Sequence, residues 1–280
     1  MQSATLKTTL QKKANLIRQD IIKMIGAAGS GHPGGSLSCA DIITVLYFHH
    51  MNHRPNEPNW PDRDRFVLSK GHGCPALYSA LARSGYFDEK ELLNLRKLGS
   101  CLQGHPDCQK TPGVDISTGS LGLGFSSSVG IALNAKIDKS DYRTYALIGD
   151  GESQEGIIWE AAMFASQYKL DNLVAILDNN GLQIDGLVNE IVSIEPIADK
   201  WKAFGWEVIE VDGHDVSSLV QAFEIADKIK HKPAIIIAKT IKGKGVSFME
   251  NEVDWHGVAP NKEQVEKALR ELESKINELK

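Results

Sequence analysis

The fold is decided by the stretch Ala146-Leu147-Ile148-Gly149-Asp150-Gly151-Glu152-Ser153-Gln154-Glu155-Gly156. An apolar run enters Gly-Asp-Gly, and a helical pattern from Glu155 to Tyr168 follows. A strand feeding a helix through glycine is the unit of an open parallel sheet. Ligands of such sheets bind beyond the carboxyl ends of the strands, where helix N-termini offer free amides. Glycine permits close backbone approach, and Asp150 supplies a hard oxygen. About thirty residues on, Asp178-Asn179-Asn180-Gly181-Leu182 again follows an apolar run. Each motif alone is ordinary turn chemistry. Together, each after a strand, they present Asp150 and Asn180 towards one ion, and a diphosphate with its magnesium suits such a place. Neither GxGxxG nor GxxxxGKS/T occurs in the chain.

Outward from this centre, short runs of branched apolar residues stand at Tyr145–Ile148, Leu173–Leu177, Glu207–Val211 and Ala234–Ala238. Helical stretches separate them: Glu155–Tyr168, Ile197–Phe204 and Val216–Lys230. Regular alternation of this kind predicts an α/β fold, a parallel sheet with helices on both faces. Towards the N-terminus, Leu10, Ala14, Ile17, Ile21 and Ile25 mark a helix. It ends at a glycine-rich turn, Gly29 to Gly35, where Pro33 opposes continuation. A second helical stretch is expected from Ser38 to His49, then a surface connection from Asn52 to Arg65. Val265, Leu269, Leu272 and Ile276 among Glu and Lys form a closing amphipathic helix. The expectation is one domain, 1–280, with an irregular, loop-rich first third and a C-terminal helix.

Composition removes several classes. Of 280 residues, 42% are hydrophobic and 24% charged, the balance of a globular protein, and the net charge of −5 gives no support to a nucleic-acid role. No run approaches the ~20 apolar residues that cross a bilayer, so no membrane partner is expected. Met1 to Lys13 lacks the apolar centre of a secretory signal. Cys39, Cys74, Cys101 and Cys108 form no CxxC pair and read as reduced thiols in a cytoplasm.

Four histidines, His32, His72, His105 and His256, sit beside Gly or Pro in predicted loops. Singly, each would be an ordinary turn histidine; four in one setting ask for a common explanation. A near-neutral imidazole can donate to or accept from sugar hydroxyls, and can donate to a diphosphate without fixed charge. His49, His50 and His53 have metal-like spacing but no acidic or sulfur ligand close in sequence, and are read as the solvated end of a helix.

These motifs resemble transketolase. Gly-Asp-Gly followed after about thirty residues by Asn-Asn is similar to the signature of thiamine-diphosphate enzymes. Gly29 to Ser38 (GSGHPGGSLS), Ser69 to Pro75 (SKGHGCP), Gly104-His105-Pro106, Gly119 to Gly124 (GSLGLG), Gln154-Glu155-Gly156, Asn180 to Gly186 (NGLQIDG) and Trp255-His256-Gly257 follow that family's order. The resemblance implies the diphosphate-binding domain of the thiamine-diphosphate-binding fold. It implies metal ligands at Asp150, Asn180 and the Leu182 main-chain carbonyl, holding Mg2+ or, in its place, Ca2+ or Mn2+. His72 and His256 would contact the diphosphate. Gly119, Ser120 and Leu121 would pack along the cofactor, and Gly151 would lie against its diphosphate. Asn180 belongs with the cofactor-binding residues, and so does Glu155, for which the family suggests a subunit contact while a plain first-turn helix acid fits as well. His32, His105 and His256 would line the donor-sugar cavity, with His32 and His256 placed for proton transfer. Ser120 and Leu123 stand where many transketolases carry Pro and Gln.

In the family the activating glutamate and pyrimidine pocket come from a separate domain, and by the resemblance this chain is expected to match the diphosphate-binding domain alone. The resemblance therefore implies a two-chain transketolase, transferring a two-carbon ketol group between sugar phosphates, active only with a second subunit in a two-plus-two heterotetramer. A place in the pentose phosphate pathway goes with that activity. Rival readings are the α subunit of a 2-oxo acid dehydrogenase, a deoxyxylulose-phosphate-synthase-like chain, and a non-catalytic relative; the four histidine loops favour a polyol donor over an oxo acid.

Overall fold

The computed structural model describes residues 2–278; Met1, Leu279 and Lys280, the ends of the expected 1–280 domain, lie outside the described residues. The expected opening helix is α1 (Gln2–Ala28). Two short helices follow, α2 (Pro33–Ser38) and α3 (Ala40–Val45), the latter running into a wider turn at Leu46–His50. Then come β1 (Arg65–Leu68), α4 (Cys74–Ser84), α5 (Leu123–Asp138), β2 (Thr144–Gly149), α6 (Gly156–Gln167) and β3 (Leu173–Asn179). A small antiparallel pair, β4 (Leu182–Gln183) and β5 (Gly186–Leu187), leads through α7 (Val188–Ile191) and α8 (Ile197–Ala203) to β6 (Glu207–Asp212). The chain finishes with α9 (Val216–Lys228), β7 (Ala234–Lys239) and α10 (Lys262–Glu278).

The main sheet has order β1-β2-β3-β7-β6, and every pairing is parallel. Alternate residues of its central strands feed two separate cores. Tyr145, Leu147, Val174, Ile176 and Ile236 join the cluster with α1, α3, α4 and α9; Ala146, Ile148, Ala175, Leu177, Ile235 and Ile237 join the one with α5, α6 and α8. This is the both-faces-covered sheet expected from the sequence, and it explains why the strands read as continuous apolar runs. No helix of the described residues is long and apolar enough to cross a membrane.

Three elements differ from expectation. β1 was not anticipated, because only four residues separate its polar flank from the Ser69-Lys70-Gly71 turn. α4 and α5 were also missed: α4 is buried on nearly every side over Cys74–Ala82, and α5 scatters its large apolar residues around the helix among Ser, Gly and Ala, so neither shows a clear 3.6-residue stripe. His49, His50 and His53 are not one solvated cluster. His49 is exposed, but His50 stacks on Phe223 (ring centroids 4.9 Å) beside Asp227, and His53 bonds the Tyr47 carbonyl at 2.8 Å.

Trp201 anchors the second core, fully buried against Phe125, Trp159 and Trp206. Trp201→Ala should cost about 3–5 kcal/mol in urea unfolding, whereas Lys202→Ala one residue on should stay within about 0.5 kcal/mol.

Candidate functional site

The carboxyl ends of four strands converge. Lys70 follows β1, Asp150 follows β2, Asn180 follows β3 and Lys242 lies three residues beyond β7. All four line one cleft of ≈ 340 Å³, together with His32, His72, His105 and His256. The register pairs Gly149 with Asp178, which brings the two motifs side by side. Asp150 joins them: its carboxylate accepts from Gly151 N at 2.8 Å and from Gly181 N at 2.5 Å. Gly181 has φ +79°, the left-handed backbone that glycine adopts without a Cβ penalty. Burial, and then the nearby Asp178 charge, push the Asp150 carboxyl up to about 6. A buried acid so strained electrostatically is relieved by a cation.

The other oxygen donors stand next to it. Asn180 Oδ1 accepts from Leu182 N at 3.1 Å, and the Leu182 carbonyl accepts from Lys242 Nζ at 3.3 Å. Among the described residues no three His, Cys, Asp or Glu side chains cluster as a metal site. A hard cation that keeps water and phosphate oxygens needs only a sparse set of protein oxygens, and Asp150, Asn180 and Leu182 line the cleft together. Gly35 and Gly151 open the walls: a Cβ on Gly35 would stand 3.5 Å from His72 Nε2, and one on Gly151 would press on Gln183 at 3.1 Å. With Lys242 buried beside this opening, the residues fit an anionic group carrying its own cation.

The histidines form one group. His32 lies 5.4 Å from His72, 6.3 Å from His105 and 5.6 Å from His256 between ring centroids, and His72 stacks on His256 at 5.3 Å. Each ring comes from a different loop. The Tyr78 hydroxyl reaches the carbonyls of Gln103 (2.9 Å) and His105 (3.0 Å) to fix one of them, and the Trp255 indole donates to Phe248 O at 2.8 Å to fix another. Burial, then Arg96, lowers His32 to about 4; burial, then Lys242, lowers His256 to about 3. His72 and His105 are also lowered, chiefly by burial. All four are therefore neutral near pH 7. Lys242 Nζ lies 2.8 Å from His256 Nδ1, so that nitrogen accepts and Nε2 carries the proton.

Most of the residues expected from sequence meet here: Gly119, Leu121, Asp150, Gly151, Glu155, Asn180, Leu182 and the four histidines line the cleft. Ser120 does not; it is exposed between Gly119 and Leu121. Glu155 stands exposed at the rim, at the start of α6, without a side-chain hydrogen bond among the described residues.

Sequence reasoning missed the floor. Asp178 is fully buried and accepts from Lys70 Nζ, Ser38 Oγ (2.5 Å) and Thr240 Oγ1, while Lys70 also donates to Gly35 O at 2.6 Å. Burial opposes both charges, but each partner outweighs it, holding Asp178 below the usual carboxylate range and raising Lys70. Glu152, also buried, accepts from Ser69 Oγ (2.5 Å), Gly122 N (2.8 Å) and Gly149 N (2.9 Å), tying three segments together. Lys70 lay inside the SKGHGCP motif and Glu152 inside the deciding stretch. Lys242 carried a weaker signal, a basic residue just past the apolar run Ala234–Ala238.

Comparison with known proteins places this geometry. The family model for the thiamine diphosphate binding domain of transketolase matches residues 9–277. The chain is 49% identical over 264 residues to the 6-deoxy-6-sulfo-D-fructose transketolase subunit SqwG of Clostridium sp. (strain MSTE9), covering 94% of this chain and 96% of that protein. It is 46% identical over 279 residues to one of the apulose-4-phosphate transketolase subunits of Phocaeicola vulgatus, covering 100% and 98%. The crystal structure of transketolase from Campylobacter jejuni superposes with TM-score 0.89 at 40% identity, covering 94% of this chain but 42% of that one. The chain thus spans nearly all of the two subunits and less than half of the Campylobacter enzyme.

The histidine shifts give a pH dependence. A histidine held below its free value of about 6.5 contributes stability that is present above that pH and lost as pH falls towards its folded value. Asp150, raised to about 6, acts in the opposite sense between about 6 and 4. Comparing His72→Gln with the unsubstituted chain isolates the histidine contribution. The variant should lose stability less steeply between pH 6.5 and 4 in urea titrations; parallel slopes would contradict the assignment.

Proposed function

The chain belongs to the transketolase family, by its thiamine diphosphate binding domain, and on that premise we propose that it is the diphosphate-binding subunit of a two-chain transketolase. It transfers a two-carbon ketol group from a ketose phosphate to an aldose phosphate, and does so only with a second subunit. The observation that carries this reading is the cleft itself. Oxygen donors for a cation (Asp150, Asn180, the Leu182 carbonyl), a buried lysine for an anion and a ring of neutral histidines share one wall-to-wall space.

In that space Asp150, Asn180 and the Leu182 carbonyl hold Mg2+, or Ca2+ or Mn2+ in its place. Gly151 lets the backbone approach the diphosphate, His72 and His256 donate to it, and Gly119 and Leu121 line the body of the cofactor, with Ser120 contributing at most main chain. When bound, thiamine diphosphate supplies the electron sink for the ketol unit. His32, His105 and His256 orient the sugar. His256, protonated at Nε2, offers a neutral donor, and His32, with Nδ1 3.5 Å from the Arg96 guanidinium, is likewise set to carry its proton at Nε2. The low basicity of both rings keeps them from holding a second proton near pH 7, so each serves as a neutral hydrogen-bond donor to the sugar's oxygens.

The second subunit is supported by the shape of the mouth. Glu155 stands there unpartnered, and Leu123, Ile184, Leu187, Ile191 and Val192 are exposed around it. An apolar rim of this kind is what a partner covers. The length relationship points the same way: relatives of matching length are named as subunits, and the longer one spans more than twice the chain. The assembly is two of each chain, in the cytoplasm, serving pentose phosphate metabolism.

The purified chain should show no ketol transfer from xylulose 5-phosphate to ribose 5-phosphate until the partner is added; turnover by the isolated chain at the rate of the pair would refute the shared site. In the assembled enzyme, Asp150→Asn should weaken metal-dependent thiamine diphosphate binding by more than the ~10–100-fold typical of residues that only support a ligand, read by calorimetry.

A further inference from the structure

Lys242 is placed differently from the other buried lysine. Lys70 has a carboxylate, Asp178, against its ammonium. Lys242 is 1% exposed, and its described hydrogen-bond partners are both neutral, the Leu182 carbonyl at 3.3 Å and His256 Nδ1 at 2.8 Å. Asp150 and Asp178 act on it only through space. Its stem is fixed by packing: a Cβ on Gly34 would meet Lys242 Cγ at 3.0 Å and Cε at 3.1 Å. A buried ammonium thus rests on the carbonyl assigned above to the divalent cation.

We propose that Lys242 is an internal placeholder for the cation, its ammonium resting on the Leu182 carbonyl and giving way when metal and diphosphate enter together. This rests on the proposed function, which supplies the role of Leu182. An ammonium 3.3 Å from the Leu182 carbonyl would lie within a few ångströms of a divalent ion on the same oxygen, and like charges so close in a low-dielectric cleft repel strongly. The metal alone meets that repulsion in full. A metal arriving with a diphosphate brings an anion onto which the displaced ammonium can move. Lys242 is therefore the source of an interdependence: it excludes the bare cation and rewards the pair. It is a positioning residue for the metal, acting through Leu182.

The test uses Mn2+ alone as probe, followed by electron paramagnetic resonance on the full chain, without reference to turnover. Lys242→Met should bind Mn2+ at least about tenfold tighter than the unsubstituted chain. Lys242→Gln, which also removes the charge, should follow it, and guards against a folding defect in the first variant. Lys242→Arg, which keeps the charge, should stay weak. Adding Asp150→Asn to Lys242→Met should abolish the gain, showing that the tight site is this one. In a parallel titration with thiamine diphosphate and the partner present, the mutual enhancement between Mn2+ and cofactor should shrink in Lys242→Met. Unchanged or weaker Mn2+ binding in both charge-removing variants overturns the placeholder, and if the unsubstituted assembly still binds Mn2+ with thiamine diphosphate, the functional reading survives it. Absence of that joint binding sinks both. A tightening that persists with Asp150→Asn places the ion elsewhere and also overturns the proposal.

Discussion

Everything at the carboxyl end of the sheet depends on one carboxylate being held between two strands. Asp150 leaves β2 and takes amide protons from its own turn and from Gly181, just past the end of β3. That bridge turns two ordinary strand-end turns into one surface with its oxygens gathered. It works because the strands are parallel and in register, so both chains arrive at the same edge at the same height. An antiparallel pair would have sent one of the two motifs to the opposite end of the sheet.

Beneath the bridge lies a second layer of charge, in which Lys70 and Glu152 reach the cleft wall and Asp178 is fully buried. Asp178 collects Lys70 from the β1 end, Ser38 from α2 and Thr240 from the β7 end, so a single side chain ties three distant segments to β3. Glu152 does the same for the Ser69, Gly122 and Gly149 backbone turns. Buried carboxylates are costly unless every lone pair is used; here each is supplied with donors, and the result is a rigid floor. Above it the histidines are kept neutral by burial and by the neighbouring lysines and Arg96. The cleft therefore offers hydrogen bonds from uncharged rings and places its fixed positive charge on the lysines, a division suited to a ligand with a charged tail and a polar, uncharged reacting end.

How far the sequence could be read follows from the range of the interactions. β2, β3, β6 and β7 were legible because each is a local run, and the Asp150 and Asn180 motifs because glycine and acid mark a strand end within a few residues. The four histidines were legible as a group only through their shared setting, since their rings come from segments spread between residues 32 and 256. β1 is too short to carry a pattern, and α4 is buried so completely that its period disappears. Lys70, Asp178 and Lys242 escaped because what defines them is a partner more than a dozen residues away, such as Asp178 for Lys70 or Leu182 for Lys242. His50 and His53 were misjudged for the same reason: the rings and carbonyls that bury them belong to other elements.

The central claim is that Asp150, Asn180 and the Leu182 carbonyl hold one divalent ion on the diphosphate of a bound thiamine coenzyme. It is met most directly by a crystal structure of the assembled enzyme grown with thiamine diphosphate and Mn2+, with an anomalous map collected for manganese. The account predicts a single strong peak in direct coordination with those three oxygens and with the diphosphate. A cofactor bound with the manganese elsewhere, or with the Asp150 and Asn180 oxygens turned away from it, would contradict the account.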